Sequence, residues 1–304
     1  MPELSVIICT YNRGNYLPSL LESLASQKLS RERFEVLIID NNSTDNTSEI
    51  SKEFITVHPT INTSYFLEEQ AGLSYARNRG IKESKGEILI FIDDDAVAAE
   101  NYLQAIADHF NDHPDTLAGG GKIIPAYESQ SPAWMSPYLL PVVSALDMGN
   151  KIRNFPANKY PIGANMFFRK QVFERTGLFN IHLGRKGKGL LGGEEKDIFL
   201  KMGPGSGIVY LPEAEVSHIV PEERVQHSYI TKMAFGVGLS EIIRVRQNGE
   251  RPGKVIVKEL FKWAATILLF FLYLVKLQYP KGRMLLVFRY FVSKGILSSF
   301  KNDS

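Results

Sequence analysis

The chain has little cysteine, no long apolar run and almost no net charge. One cysteine among 304 residues excludes a disulfide-stapled scaffold and a thiolate metal cluster, and it fits a reducing compartment. An apolar fraction of 44% against 22% charged residues excludes a disordered or collagen-like chain. No basic n-region precedes the first apolar segment, so a secretory route is not expected. No nucleophile elbow, Cys-x-x-Cys or His-Glu-x-x-His occurs. Gly187–Gly192 fits G-x-G-x-x-G literally, but it neither follows a first strand nor opens a βαβ unit, so it does not read as a dinucleotide site. Gly119-Gly120-Gly121-Lys122 is followed by Ile123 and lacks the spacing and hydroxyl of a phosphate-binding loop.

The net charge of +2 conceals a division. Residues 251–304 hold ten Lys/Arg and two acids, net +8, while the other 250 residues hold 25 basic and 31 acidic side chains, net −6. An acidic body with a basic, apolar tail points to a partner other than bulk water. No linker is evident before about residue 225, so the expected domains are 1–225 and 226–304.

Residues 4–9, 34–39 and 87–92 are short apolar runs that read as buried strands, and 61–67 is strand-like. Segment 15–28 carries the 3.6-residue period of a helix, and 73–83 reads as helical. This alternation implies an α/β fold with a mostly parallel sheet and helices on both faces. Such sheets bind ligands at the carboxyl ends of their strands, where Thr10-Tyr11, Asp40 and Asp93-Asp94-Asp95 stand. Residues 125–160 are rich in Pro and aromatics, Trp134 among them, as binding loops often are.

Three adjacent carboxylates repel one another unless a cation neutralises them. Oxygen ligands suit Mg²⁺ or Mn²⁺ bridged to a diphosphate. Glu194-Glu195-x-Asp197 is a second acidic cluster, suited either to capping a helix or to general-base chemistry. Arg77 suits bidentate pairing with phosphate or a place as one exposed helix charge, and His218 suits a structural role or that of a Mn²⁺ ligand.

The ordered motifs SVIICTYNR, LIIDNNSTDNT, GLSYARNRGI, FIDDD, PIGANMFFRK and GGEEKD resemble a family 2 glycosyltransferase of the GT-A fold, over about residues 4–220. The resemblance implies an inverting enzyme that uses a nucleotide-diphosphate sugar, with UDP the commoner class. Thr10, Tyr11, Asp40, Arg77, Asp93 and Asp94 would then bind the nucleotide. Asp95, Asp93 and His218 would hold Mn²⁺ or Mg²⁺. Gly163, Ala164 and Asn165 would floor the donor-sugar or acceptor site, with Asp197 and Trp134 as further contacts there. The usual Glu-Asp pair is Glu194-Glu195 here; Glu195 is taken as the base and Glu194 as the hydroxyl-recognising group, and the reverse stays open. The glycine-rich stretch 184–193 suits a lid. A sugar nucleotidyltransferase would need a glycine-rich triphosphate loop after the first strand, and TYNRGNYLP has one glycine. A carbohydrate-binding scaffold without activity would keep the fold and hydrolyse no donor.

Residues 226–250 and 255–277 read as helices. The apolar run 263–275 has 13 residues, roughly 20 Å of helix, which is short of the about 20 residues a bilayer needs. A helix hairpin dipping into the cytoplasmic leaflet is the leading reading. A soluble helical extension or oligomer interface and a true span are the alternatives. Basic residues among aromatic and aliphatic ones favour an anionic membrane over nucleic acid. A cytoplasmic, peripheral or monotopic enzyme with a lipid-linked or surface-polysaccharide acceptor is therefore expected.

Overall fold

The N-terminal strands follow from uninterrupted apolar runs. β1 (Leu4–Thr10), β2 (Phe34–Asp40) and β4 (Ile88–Asp93) are buried along almost their whole length, as strands covered on both faces must be. They lie parallel and in register, Leu4 opposite both Phe34 and Ile88, and β3 (Thr63–Leu67) adds to β2. On one face Val6, Ile8, Val36, Ile38 and Ile90 pack with α1 (Leu17–Ala25) and α4 (Tyr102–Asp112). On the other, Ile7, Leu37, Ile39, Leu89 and Phe91 pack with Ala76 and Ile81 of α3 (Leu73–Glu83). α2 (Thr47–Val57) connects β2 to β3 and buries Phe54. The chain is described here by a computed structural model, covering residues 1–157, 159–187, 189, 191–203 and 206–301, the side chains of 300 and 301 excepted.

Beyond β4 the sheet turns antiparallel. β8 (Asn165–Arg169) pairs with β4, and β6 (Ala118–Tyr127) pairs with β8. β5 (Ala96–Ala98) and β7 (Arg153–Asn154) pair with β9 (Ile208–Val220). Among the described residues the order is β3-β2-β1-β4-β8-β6-β9-β5, with β7 beside β9. The expected parallel sheet is thus its β3-β2-β1-β4 part, and the whole sheet is mixed. The glycine run at 119–121 belongs to β6 and serves strand packing: a Cβ on Gly121 would stand 1.7 Å from the Ala214 carbonyl oxygen. α5 (Gln171–Thr176) and α6 (Glu194–Met202) follow. Two residues of the expected lid, 188 and 190, lie outside the described residues.

The chain forms two compact units: residues 1–126, 144–181 and 195–219, and residues 127–143, 182–194 and 220–304. The first holds the sheet. The second holds α7 (His227–Gln247), α8 (Gly253–Val275) and α9 (Tyr279–Lys301). α7 and α9 meet backbone to backbone: a Cβ on Gly238 would lie 2.0 Å from the Val292 oxygen, and one on Gly295 2.1 Å from the Phe235 oxygen. Among the described residues no helix is long and apolar enough to cross a membrane, which removes the spanning alternative for the tail.

Candidate active site

β1, β2 and β4 run parallel, so Thr10, Asp40 and Asp93 end on one edge of the sheet. The chain leaves β4 through Asp94 and Asp95 and enters β5 at once. β5 pairs antiparallel with β9, Ala96 opposite His218, and the Ile219 amide donates to the Asp95 carbonyl at 2.8 Å. This pairing brings His218 from far along the chain to the carboxylates. Its Nε2 lies 2.9 Å from Asp95 Oδ1 and 3.8 Å from Asp93 Oδ2. One ligand atom from each of Asp93, Asp95 and His218 falls within 4.8 Å of the others. His218 is 0% and Asp95 1% exposed, whereas Asp93 keeps 32%, so the cluster meets solvent at Asp93.

Charge governs this cluster. Burial alone would lower the His218 pKa, but the Asp95 and Asp93 carboxylates outweigh it and raise the group to about 9. Burial, reinforced by the Asp95 charge, pushes Asp94 up to about 7 against the pull of Arg13 and Thr10. Asp93 is lowered: burial works against its charge, and the His218 hydrogen bond together with the charges of His218 and Arg77 prevails. Two carboxylates and an imidazole, held this close in a largely buried place, fit a divalent cation with mixed O/N coordination such as Mn²⁺.

Two arginines frame the carboxylates. Arg77, 3% exposed, reaches from α3 to within 4.0 Å of Asp93 Oδ1. Its Nη2 donates to the Gly163 carbonyl at 3.3 Å, and its guanidinium lies over the Phe179 and Phe91 rings, 5.4 and 6.0 Å from their centroids. Gly163 has no side chain for a steric reason, since a Cβ there would sit 2.5 Å from Arg77 Nη2. Arg13 follows β1. Its Nη2 is 3.8 Å from Asp95 Oδ2, and its guanidinium sits 5.1 Å above the Tyr16 ring. Sequence reasoning passes over Arg13, although its place three residues beyond a strand end on this edge is a usable signal.

The other expected residues take varied places. Asp40 is buried; its Oδ1 accepts from the Ser43 amide and its Oδ2 from the Tyr65 hydroxyl, each at 2.8 Å. Tyr65 is a second neighbour that sequence reasoning passes over. Tyr11 is exposed, beside Asn12, whose positive φ lets its side chain accept from the Thr44 amide at 2.7 Å. The Ala164 carbonyl accepts from the Asp93 amide at 3.4 Å. The Asn165 side chain is turned inward: Oδ1 accepts from the Tyr102 hydroxyl, and Nδ2 donates to the carbonyls of Ala214 and Lys122. Asp197 is fully buried, its Oδ2 2.7 Å from Lys201 Nζ. Glu195 and Asp197 belong to the sheet unit, whereas Glu194 and Trp134 belong to the helical one. There Glu194 is buried and the Trp134 ring lies 6.5 Å from that of His227.

Comparison with known proteins bears on the family and the fold. The sequence is 24% identical over 248 residues to the glucosyl-dolichyl phosphate glucuronosyltransferase of Haloferax volcanii, covering 79% of this chain and 76% of that one. The fold is similar to the mannosyltransferase PcManGT of Pyrobaculum calidifontis, solved with GDP-Man and Mn²⁺, at TM-score 0.60 and 17% identity over 97% of this chain and 87% of that one. It is also similar to the 1–349 fragment of S. aureus TarS in complex with UDP-GlcNAc, at TM-score 0.56 and 19% identity over 78% of this chain and 66% of that one. The mixed sheet flanked by helices is thus of the GT-A kind, with a helical extension. The model of glycosyl transferase family 2 matches residues 5–177, more than half of the sequence, and the chain belongs to that family.

Proposed function

We propose that the chain is a metal-dependent, inverting glycosyltransferase. It moves a sugar from a nucleotide-diphosphate sugar, a UDP-sugar first, to a hydroxyl of a lipid-linked or surface-polysaccharide precursor at the cytoplasmic face of the membrane. The observation that carries this reading is the Asp93–Asp95–His218 cluster at the strand ends, framed by Arg13 and Arg77. The named substrate of the H. volcanii relative, a dolichyl phosphate, supports the lipid-linked acceptor. The UDP-GlcNAc and GDP-Man of the solved structures keep both bases in play.

Thr10, Tyr11 and Asp40 take the nucleoside, and Arg77 the diphosphate side. Asp93, Asp95 and His218 hold Mn²⁺ or Mg²⁺, with Asp94 beside them. Bound there, the cation supplies Lewis-acid neutralisation of the leaving diphosphate. Glu195, at the start of α6, accepts the proton of the acceptor hydroxyl as that oxygen attacks the anomeric carbon from the face opposite the leaving group. The new glycosidic C–O bond forms, the bond to the diphosphate oxygen breaks, and the nucleoside diphosphate leaves with the electron pair. Glu194 orients the hydroxyl, and the backbone of 163–165 shapes the floor.

Calorimetric titration of UDP and GDP, each with and without MnCl₂, tests the reading. Binding that needs the cation and is lost in Asp95→Asn supports it. Absence of binding by both UDP and GDP, with and without the cation, overturns it.

A further inference from the structure

α8 is held to its own unit along a thin seam. Of its 23 residues only Val255, Glu259 and Thr266 are buried. At 3.6 residues per turn these three share one face, and Leu260, Phe261, Leu268, Phe271 and Val275 fall on the opposite one. Those five are between 56% and 82% exposed, an apolar surface too large and continuous to be incidental. Lys254, Lys258 and Lys262 run along one flank of the helix, four residues apart.

The charge around this face has one sign. Among the described residues of 251–301 every exposed ionised side chain is Lys or Arg. The one acid there, Glu259, is turned inward to Arg289 Nη1 at 3.2 and 3.3 Å and to Ser293 Oγ at 3.0 Å. Trp263 Nε1 donates to the same Ser293 hydroxyl at 2.8 Å, so the Glu259 carboxylate is held by hydrogen bonds within the α8–α9 contact. A second copy of the chain would bring like charges together at such a face. An anionic leaflet offers both the hydrocarbon and the counter-charge.

The placement of those charges sets the orientation. Basic residues bracket the apolar run 263–275 at both ends: Lys258 and Lys262 before it, Lys276, Lys281 and Arg283 after it. Entry by the turn between α8 and α9 would carry the last three into hydrocarbon, where ionised groups are costly. At roughly 20 Å the run also falls short of the about 30 Å of a bilayer core. Lying in the plane of one leaflet, α8 leaves both basic ends free to reach the headgroups through their aliphatic stems.

We propose that α8 is an in-plane anchor that docks side-on into an anionic bilayer through the face of Leu260, Leu268 and Val275. This rests on the membrane location proposed above and adds to it which surface binds, which lipid charge it selects and how deep it goes.

The full chain tests it, on a Cys9→Ser background, with single cysteines introduced by Leu260→Cys, Leu268→Cys and Val275→Cys and labelled with an environment-sensitive fluorophore. The probes are vesicles of phosphatidylcholine alone or mixed with phosphatidylglycerol. Expected are blue shifts at all three positions, similar depths by lipid-borne quenchers, and at least tenfold tighter binding to the anionic vesicles that weakens with salt. Leu268→Glu with Phe271→Glu should abolish vesicle binding while preserving Mn²⁺-dependent nucleotide binding. A depth rising steadily from 260 to 275 overturns the side-on arrangement. No shift with vesicles, with or without self-association at the labelled face, overturns the bilayer as the partner. The readout needs neither donor nor acceptor, so the anchor and the transferase reading fail separately.

Discussion

His218 Nε2 lies 2.9 Å from Asp95 Oδ1, and both side chains are almost wholly out of solvent. The Asp95 and Asp93 charges hold the imidazole protonated up to about pH 9, against the opposing effect of burial. The unfolded-state pKa is about 6.5. The stabilisation contributed by protonated His218 is therefore complete below about pH 6.5 and is lost as pH rises through about 9. Asp94, raised to about 7 chiefly by burial, contributes its own loss lower, between about pH 4 and pH 7. The Tm of the metal-free protein should therefore fall from pH 7 to pH 9.5 with a slope belonging mainly to His218. His218→Gln should flatten it. An unchanged slope in that variant would remove His218 as its source.

The Gly163 site makes a separate prediction. A methyl group there meets the end of the Arg77 side chain at 2.5 Å, not backbone, so the guanidinium shifts and the fold survives. Gly163→Ala should weaken nucleoside-diphosphate binding about tenfold, or about 1.4 kcal/mol, with a Tm near wild type. Calorimetry alongside thermal unfolding checks both parts. Wild-type affinity would mean that Arg77 does not reach the nucleotide.

How much was legible beforehand differs between the two halves of the sheet. Strands buried on both faces are apolar without interruption, so β1, β2 and β4 stand out, and the helical reading of 73–83 coincides with α3. β6 opens on AGGG, and glycine is depleted in strands, so its composition hides it. β5 and β7 have three and two residues, too few for any period. The acidic members of the cluster were legible as a costly run of like charge. Arg13 carries no periodic signal, and nothing in the string Gly-Ala-Asn tells that the Asn165 amide is turned inward to Tyr102, Lys122 and Ala214.

Glu195 bears the proton-transfer role in the proposed reaction. Glu195→Gln keeps the size and removes the basicity. Transfer should fall by about 10²–10⁴-fold, while Mn²⁺-dependent donor binding stays within about twofold of wild type. Product formation under single-turnover conditions, with donor affinity measured in parallel, separates the two. Loss of donor binding would assign Glu195 to the nucleotide or metal site, and retention of both would shift the base to Glu194.

The α7–α9 crossing makes the last prediction, one of stability. Gly238 and Gly295 face each other's helix so closely that an added Cβ would stand 2.0 Å from the Val292 oxygen or 2.1 Å from the Phe235 oxygen. Backbone cannot give way as a side-chain tip can, so the helices must separate and lose packing around Ala234, Val292 and Ile296. Gly238→Ala or Gly295→Ala should each cost about 1–3 kcal/mol. The opposing gain in helix propensity, about 1 kcal/mol, is too small to reverse the sign. The two changes act on one contact, so the double variant should cost less than the sum of the singles. Denaturant unfolding followed by Trp263 fluorescence in a Trp134→Phe background reads this, since that indole is hydrogen-bonded to Ser293 of α9. A stability gain in either single variant would mean that α7 and α9 do not meet at these glycines.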